Sequence, residues 1–180
     1  MTTNSTLERL NVTTRYDNVS SDIGLLVLRV VFGGLLAAHG SQKLFGWFDG
    51  LGLTANNASF EAMGYNPGDL FGTLAGLSEF VGGLLLLLGL FTPLAAAIVL
   101  GTMINVIHVM WGGGMLDAAA GYEMGLLFAT VAVAVAFTGP GRFSLDHGRP
   151  WYRSGFAWGV GAVALAVVTG VLTLILKGLL

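Results

Sequence analysis

The chain has 180 residues, of which 54% are hydrophobic and only 10% charged. A soluble domain carries about 25% charged residues, so this composition belongs to an integral membrane protein. A net charge of −2 gives no electrostatic basis for nucleic-acid binding, and the absence of Cys removes disulfides, thiol redox chemistry, Cys-held iron–sulfur clusters and thiolate metal sites.

Residues 1–21 are rich in Thr, Asn and Ser and read as a polar cytoplasmic tail, flexible or lying on the surface. They lack the basic, apolar and small-residue order of a secretory signal, so the first apolar stretch reads as a retained anchor. Five candidate spans follow, at residues 23–45, 70–91, 94–111, 122–138 and 156–176. The third and fourth are short for a hydrocarbon core about 30 Å thick. The expected fold class is therefore all-α, a polytopic transmembrane helix bundle.

The connections carry turn chemistry. Thr92 and Pro93 suit the N-cap and first position of the third helix, and Phe91 lies where the second should stop. Gly139-Pro140-Gly141 ends the fourth helix, and Ser154 is placed to cap the fifth. Residues 47–69 mix Trp47, Phe48, Phe60 and Tyr65 with polar residues. They are expected to lie along the membrane surface, with the aromatics at headgroup level. The pairs Gly72/Gly76 and Gly155/Gly159, with Gly33-Gly34 and Gly82-Gly83, permit close helix approach.

Basic residues set the expected orientation. The tail has Arg9 and Arg15, and the loop after the fourth span has Arg142, Arg149 and Arg153. The loops 47–69 and 112–121 have neither Lys nor Arg. The positive-inside rule puts the N-terminus in the cytoplasm and, after five spans, the C-terminus outside.

Ionisable groups within apolar spans are costly and mark functional sites by default. The first span ends in His39-Gly40-Ser41-Gln42-Lys43-Leu44-Phe45-Gly46. Later spans bring Glu79, then Asn105 with His108, then Glu123. At about 1.5 Å rise per residue, His39 lies about 24 Å from the cytoplasmic edge, Glu79 and Asn105 about 16 Å, His108 about 21 Å and Glu123 about 28 Å. All fall in the outer half of the membrane, as they would around one polar pocket. His39 and Lys43 are four residues apart, and Asn105 and His108 three, so each pair shares a helix face. Arg29 lies deeper and can reach toward Glu79, which needs a cationic partner, Arg29 or Lys43.

At residues 39–46 the chain resembles the first-helix motif of the DoxX family of small membrane proteins. Leu77-Ser78-Glu79-Phe80-Val81-Gly82-Gly83 and Gly89-Leu90-Phe91-Thr92-Pro93 are similar to the family's second helix and its exit. Gly121-Tyr122-Glu123 and Gly139-Pro140-Gly141-Arg142-Phe143-Ser144-Leu145-Asp146 are similar to its fourth helix and terminal motif. The resemblance covers about residues 24–146. It implies a four-helix DoxX-like core at 22–146; to this the chain adds the tail at 1–21 and an Arg-containing linker and fifth C-terminal hydrophobic helix at 147–180, about which the resemblance says nothing. It also implies a role in membrane redox chemistry, with some members resembling thiosulfate:quinone oxidoreductase subunits and others partners of sulfur-transfer or superoxide-detoxifying enzymes. His39, Gln42, Lys43, Glu79 and Glu123 are the positions carried over by motif.

The expected function is thus a membrane subunit of a quinone-linked oxidoreductase system. His39, Lys43, Glu79, His108 and Glu123 are the candidate catalytic residues. Gln42, Phe45, Phe80, Asn105 and Trp111 are the candidates for holding a quinone, the expected cofactor. A non-catalytic anchor for other enzymes and a small proton-coupled transporter are the alternatives. The expected surroundings are the bilayer and a homo-oligomer or a complex with a redox enzyme. A haem between His39 and His108, or a zinc ion on His39, His108 and Glu123, is disfavoured, because two or three such residues are a weak signal.

Overall fold

The computed structural model describes residues 18–116 and 120–180. Most of the expected tail, with Arg9 and Arg15, lies outside the described residues. Among the described residues all regular structure is helical. Helix α1 runs over Asn18–Phe45, α2 over Gly52–Ala62, α3 over Gly68–Leu88, α4 over Thr92–Met110, α5 over Glu123–Thr138 and α6 over Phe156–Leu179. Four are long and apolar enough to cross a membrane: α1, α3, α4 with its 3₁₀ extension to Gly113, and α6. Helix α5 is apolar but shorter.

The packing suits lipid. Large apolar side chains such as Val27, Leu74 and Val168 face outward, while the interior is lined by Ala95, Ala96, Ala132, Ala136, Ala162 and Ala166. Small interior residues let backbones approach, which stabilises helix pairs where no hydrophobic effect separates lipid from Leu. The closest approach joins α1 to α3. A Cβ on Gly40 would strike the backbone of Phe80, and one on Gly83 would strike the backbone of Ala37. Around this pair α4 packs on α3, α5 and α6, and α2 lies against α3.

Helix α1 begins at Asn18, inside the stretch expected to be tail. Asp22 explains the early start. Its carboxylate accepts the backbone N–H of Arg142 at 2.9 Å and pairs with the Arg142 guanidinium at 2.6 Å, tying the first turns to the loop after α5. Residues Arg29–Gly33 form a wider π-turn within α1. Arg29 is fully buried beside it. It does not reach Glu79. It donates instead to the carbonyls of Leu87, at 3.1 Å, and Phe143. Leu87 is in the last turn of α3, where carbonyls lack helical partners and a cation is favoured.

Helix α3 stops at Leu88, three residues before Phe91, because Gly89 turns left-handed at φ 61° and Leu90 N–H returns to Leu85 O at 2.9 Å. Pro93 occupies the first turn of α4 as expected, but the cap of that helix comes from elsewhere. Asp146 accepts the N–H groups of Phe91 and Thr92, both at 2.9 Å, and the Thr92 hydroxyl at 2.8 Å.

The segment 47–69 is ordered against the bundle. Its helix α2 is fixed to α3 by Asn56, which donates to Gly72 O at 2.9 Å, and by Asn57, which donates to Asp69 at 3.0 Å. Trp47 and Phe48 remain exposed, but Tyr65 is buried, between Phe60 and Phe71 at ring separations of 5.5 and 5.6 Å.

Candidate functional site

The C-terminal half of α1, the middle of α3, α4, the start of α5 and the α2–α3 connection enclose a cavity of about 330 Å³. This is within the usual size range of small-molecule pockets. On α1 it is lined by Leu36, His39 and Lys43, spaced i, i+3 and i+7, and on α3 by Ala75 and Glu79. Such spacing places each set on one helix face. Phe60, Tyr65, Met103 and Phe128 supply much of the apolar wall.

Its polar groups are few and organised. Glu79 is buried and ion-paired to the Lys43 ammonium. The Lys43 side chain keeps 29% of its surface, so the pair joins the buried interior to the cavity mouth. Mutual pairing is what allows two charges at this depth, where a lone one costs several kcal/mol. His39 is exposed at the rim, edge-on to Phe128 at 6.4 Å between rings. Asn105 is held by three hydrogen bonds. It donates to Gly101 O and to Gly170 O of α6, both at 3.2 Å, and accepts the Tyr65 hydroxyl at 3.3 Å. Burial pushes the Tyr65 phenol above its ordinary value, so it stays a neutral donor. The Lys177 ammonium of α6 sits 4.2 Å above the Tyr65 ring and holds it in place.

Four of the ten residues singled out by sequence therefore meet at one cavity: His39, Lys43, Glu79 and Asn105. The other six lie off its lining. Gln42 donates to Phe48 O at 3.1 Å and fixes the turn after α1. Phe45 packs against Phe80 at 5.3 Å and against Trp47 at 5.0 Å. His108 is exposed, Glu123 is the half-buried first residue of α5, and Trp111 is stacked on Tyr122 at 5.0 Å.

Rotation about the helix axis accounts for much of this sorting. At about 100° per residue, the α4 lining residues Thr102, Met103, Asn105, Val106, Val109 and Met110 form one continuous stripe, and His108 falls outside it. On α1, Gln42 is about 60° outside the Leu36–His39–Lys43 stripe, and Phe45 lies on the opposite side. Tyr65, Phe60 and Phe128 were not anticipated as lining residues. The signal available for Tyr65 was a phenol in a loop without Lys or Arg, which is weak. Among the described residues no three His, Asp or Glu side chains gather as a metal site requires.

Residues 24–112 match the DoxX family model. A Haemophilus influenzae protein described as uncharacterized is 32% identical over 127 residues, which cover 68% of this chain and 88% of that protein. The chain belongs to the DoxX family. A second relative, an uncharacterized membrane protein of Mycobacterium tuberculosis, is 31% identical over 136 residues, covering 68% of this chain and 79% of its own. No solved structure matches. The matched DoxX stretch contains most of α1 and all of α2 to α4, and with them the Lys43–Glu79 pair. Phe128 of α5 and the whole of α6 lie beyond it.

Proposed function

We propose that this DoxX-family protein is the quinone-binding membrane subunit of an oxidoreductase system, serving sulfur-compound or oxidative-stress chemistry. The observation that supports this most is the buried Glu79, ion-paired to Lys43, on the wall of a cavity whose other lining is mostly apolar. Quinone chemistry, when the ligand is bound, exchanges two electrons and two protons. A site for it needs flat apolar walls, a donor to a ring carbonyl and a proton route to water. Phe60 and Phe128 supply aromatic walls. Lys43 supplies an ammonium donor, and Glu79 compensates its charge. His39, at the exposed rim, has ring nitrogens that can donate or accept a proton between cavity and surroundings. In this reading the electrons come from a partner enzyme or from a bound small donor.

The test is a titration of the purified full-length chain, in lipid nanodiscs, with menaquinone and with ubiquinone. Saturable binding of at least one is expected, weakened about tenfold or more by Glu79→Gln and by His39→Ala. Failure of both quinones to saturate, or wild-type affinity in both variants, contradicts the proposal.

A further inference from the structure

The polar cavity continues behind Tyr65 and Asn105. A second space of about 310 Å³ shares Phe60, Tyr65, Ala75, Thr102 and Asn105 with the first. It runs on as a groove between α3 and α6 over α4, lined by Leu74, Ser78, Ile98, Thr169 and Thr173. Leu74, at its edge, is half exposed on the outer surface of the bundle, so the groove opens sideways toward lipid.

Its chemistry differs from that of the first cavity. It has no ionisable side chain other than the neutral Tyr65 phenol at the junction. The threonine hydroxyls along it are turned back onto helix carbonyls. Thr102 bonds Ile98 O at 2.9 Å, Thr169 bonds Leu165 O at 2.9 Å, and Thr173 bonds Thr169 O at 2.9 Å. With those donors satisfied, the threonines add little polarity to the wall. An ion-paired compartment thus joins an apolar groove through a neck made by Tyr65 and Asn105. The whole is amphipathic, with its polar end inside the bundle and its apolar end toward the bilayer.

We infer that the α3–α6 groove holds the isoprenoid tail of a quinone whose ring occupies the Lys43–Glu79 cavity. This rests on the quinone reading above and adds to it a requirement for a long-chain ligand. It also gives α6 a role: the helix beyond the matched family stretch builds one side of the tail site, and Asn105 ties it to the neck through Gly170 O.

The experiment compares menadione, which has the ring without a tail, with a menaquinone bearing several isoprene units. Both are titrated into full-length wild type, Thr173→Phe and Ser78→Phe in nanodiscs. The two variants fill the groove from opposite sides and leave the ring cavity unaltered. Each is compared with wild type for the same ligand, so partition of the tail into lipid cancels. The expected result is a loss of about tenfold or more in menaquinone affinity in both variants, with menadione affinity unchanged. Equal weakening of both ligands, or no weakening of either, overturns the groove as tail site and leaves the ring cavity standing. No saturable binding of either ligand to wild type overturns the quinone reading as well.

Discussion

Asp146 holds together parts of the chain that are far apart in sequence. Its two oxygens accept the N–H groups that open α4, the Thr92 hydroxyl and, at 3.0 Å, the indole N–H of Trp151. A carboxylate at a helix N-terminus satisfies donors that the helix cannot and meets the positive end of its dipole. Asp146→Ala leaves buried donors unpaired and is expected to cost about 2–3 kcal/mol. Thermal unfolding in detergent should show a clear drop for Asp146→Ala and a smaller one for Asp146→Asn. An unchanged transition would show that water replaces the carboxylate. The sequence announces the acidic residue but not its target, because the pairing spans 54 residues and no local spacing encodes it. The ionisable residues of the apolar spans were legible for the opposite reason. Their cost in lipid is a property of the residue itself, so Lys43 and Glu79 are conspicuous in the sequence without reference to any contact.

At the scale of elements, the apolar runs located the crossing helices, and the glycines located their closest contact. Gly40 and Gly24 lie on the same helix in different settings. A Cβ at Gly40 meets the Phe80 backbone, whereas one at Gly24 meets nothing within 4 Å. Gly40→Ala should therefore destabilise the α1–α3 pair by about 1–3 kcal/mol, through overpacking that backbone cannot relieve. Gly24→Ala should be neutral or stabilising by up to about 1 kcal/mol, through helix propensity. Chemical unfolding of the two variants side by side distinguishes them, and equal effects would place the contact elsewhere. Depth along a helix is readable from residue count, and it put the polar residues at one level. Direction around the axis is set by which neighbour each face meets, and His108 shows the consequence. It is three residues from Asn105 and at nearly the same level, yet it faces outward. Helix α2 was hidden for a related reason. Its sequence is only weakly amphipathic, and its fixed position comes from Asn56 and Asn57 bonding to α3.

Across the whole molecule the two ends of the bundle differ. One end gathers Asp22, Arg142 and the loop with Arg149 and Arg153. The other gathers α2, Tyr65 and Lys177, so the start of α1 and the end of α6 lie at opposite ends. The cavity belongs to the second end, and every helix from α1 to α6 either lines it or supports the Tyr65–Asn105 neck. The family stretch alone, ending at residue 112, leaves out Phe128 and α6, so the cavity and the groove behind it are both built with residues beyond that stretch. The most direct test of that space is photolabelling in nanodiscs with an azido-menaquinone, followed by mapping of the modified residues by mass spectrometry. The account predicts label on Phe60, Tyr65, Met103 or Phe128, suppressed by excess menaquinone. Label confined to outward-facing residues such as Val168 and Leu172, and insensitive to competitor, would contradict it.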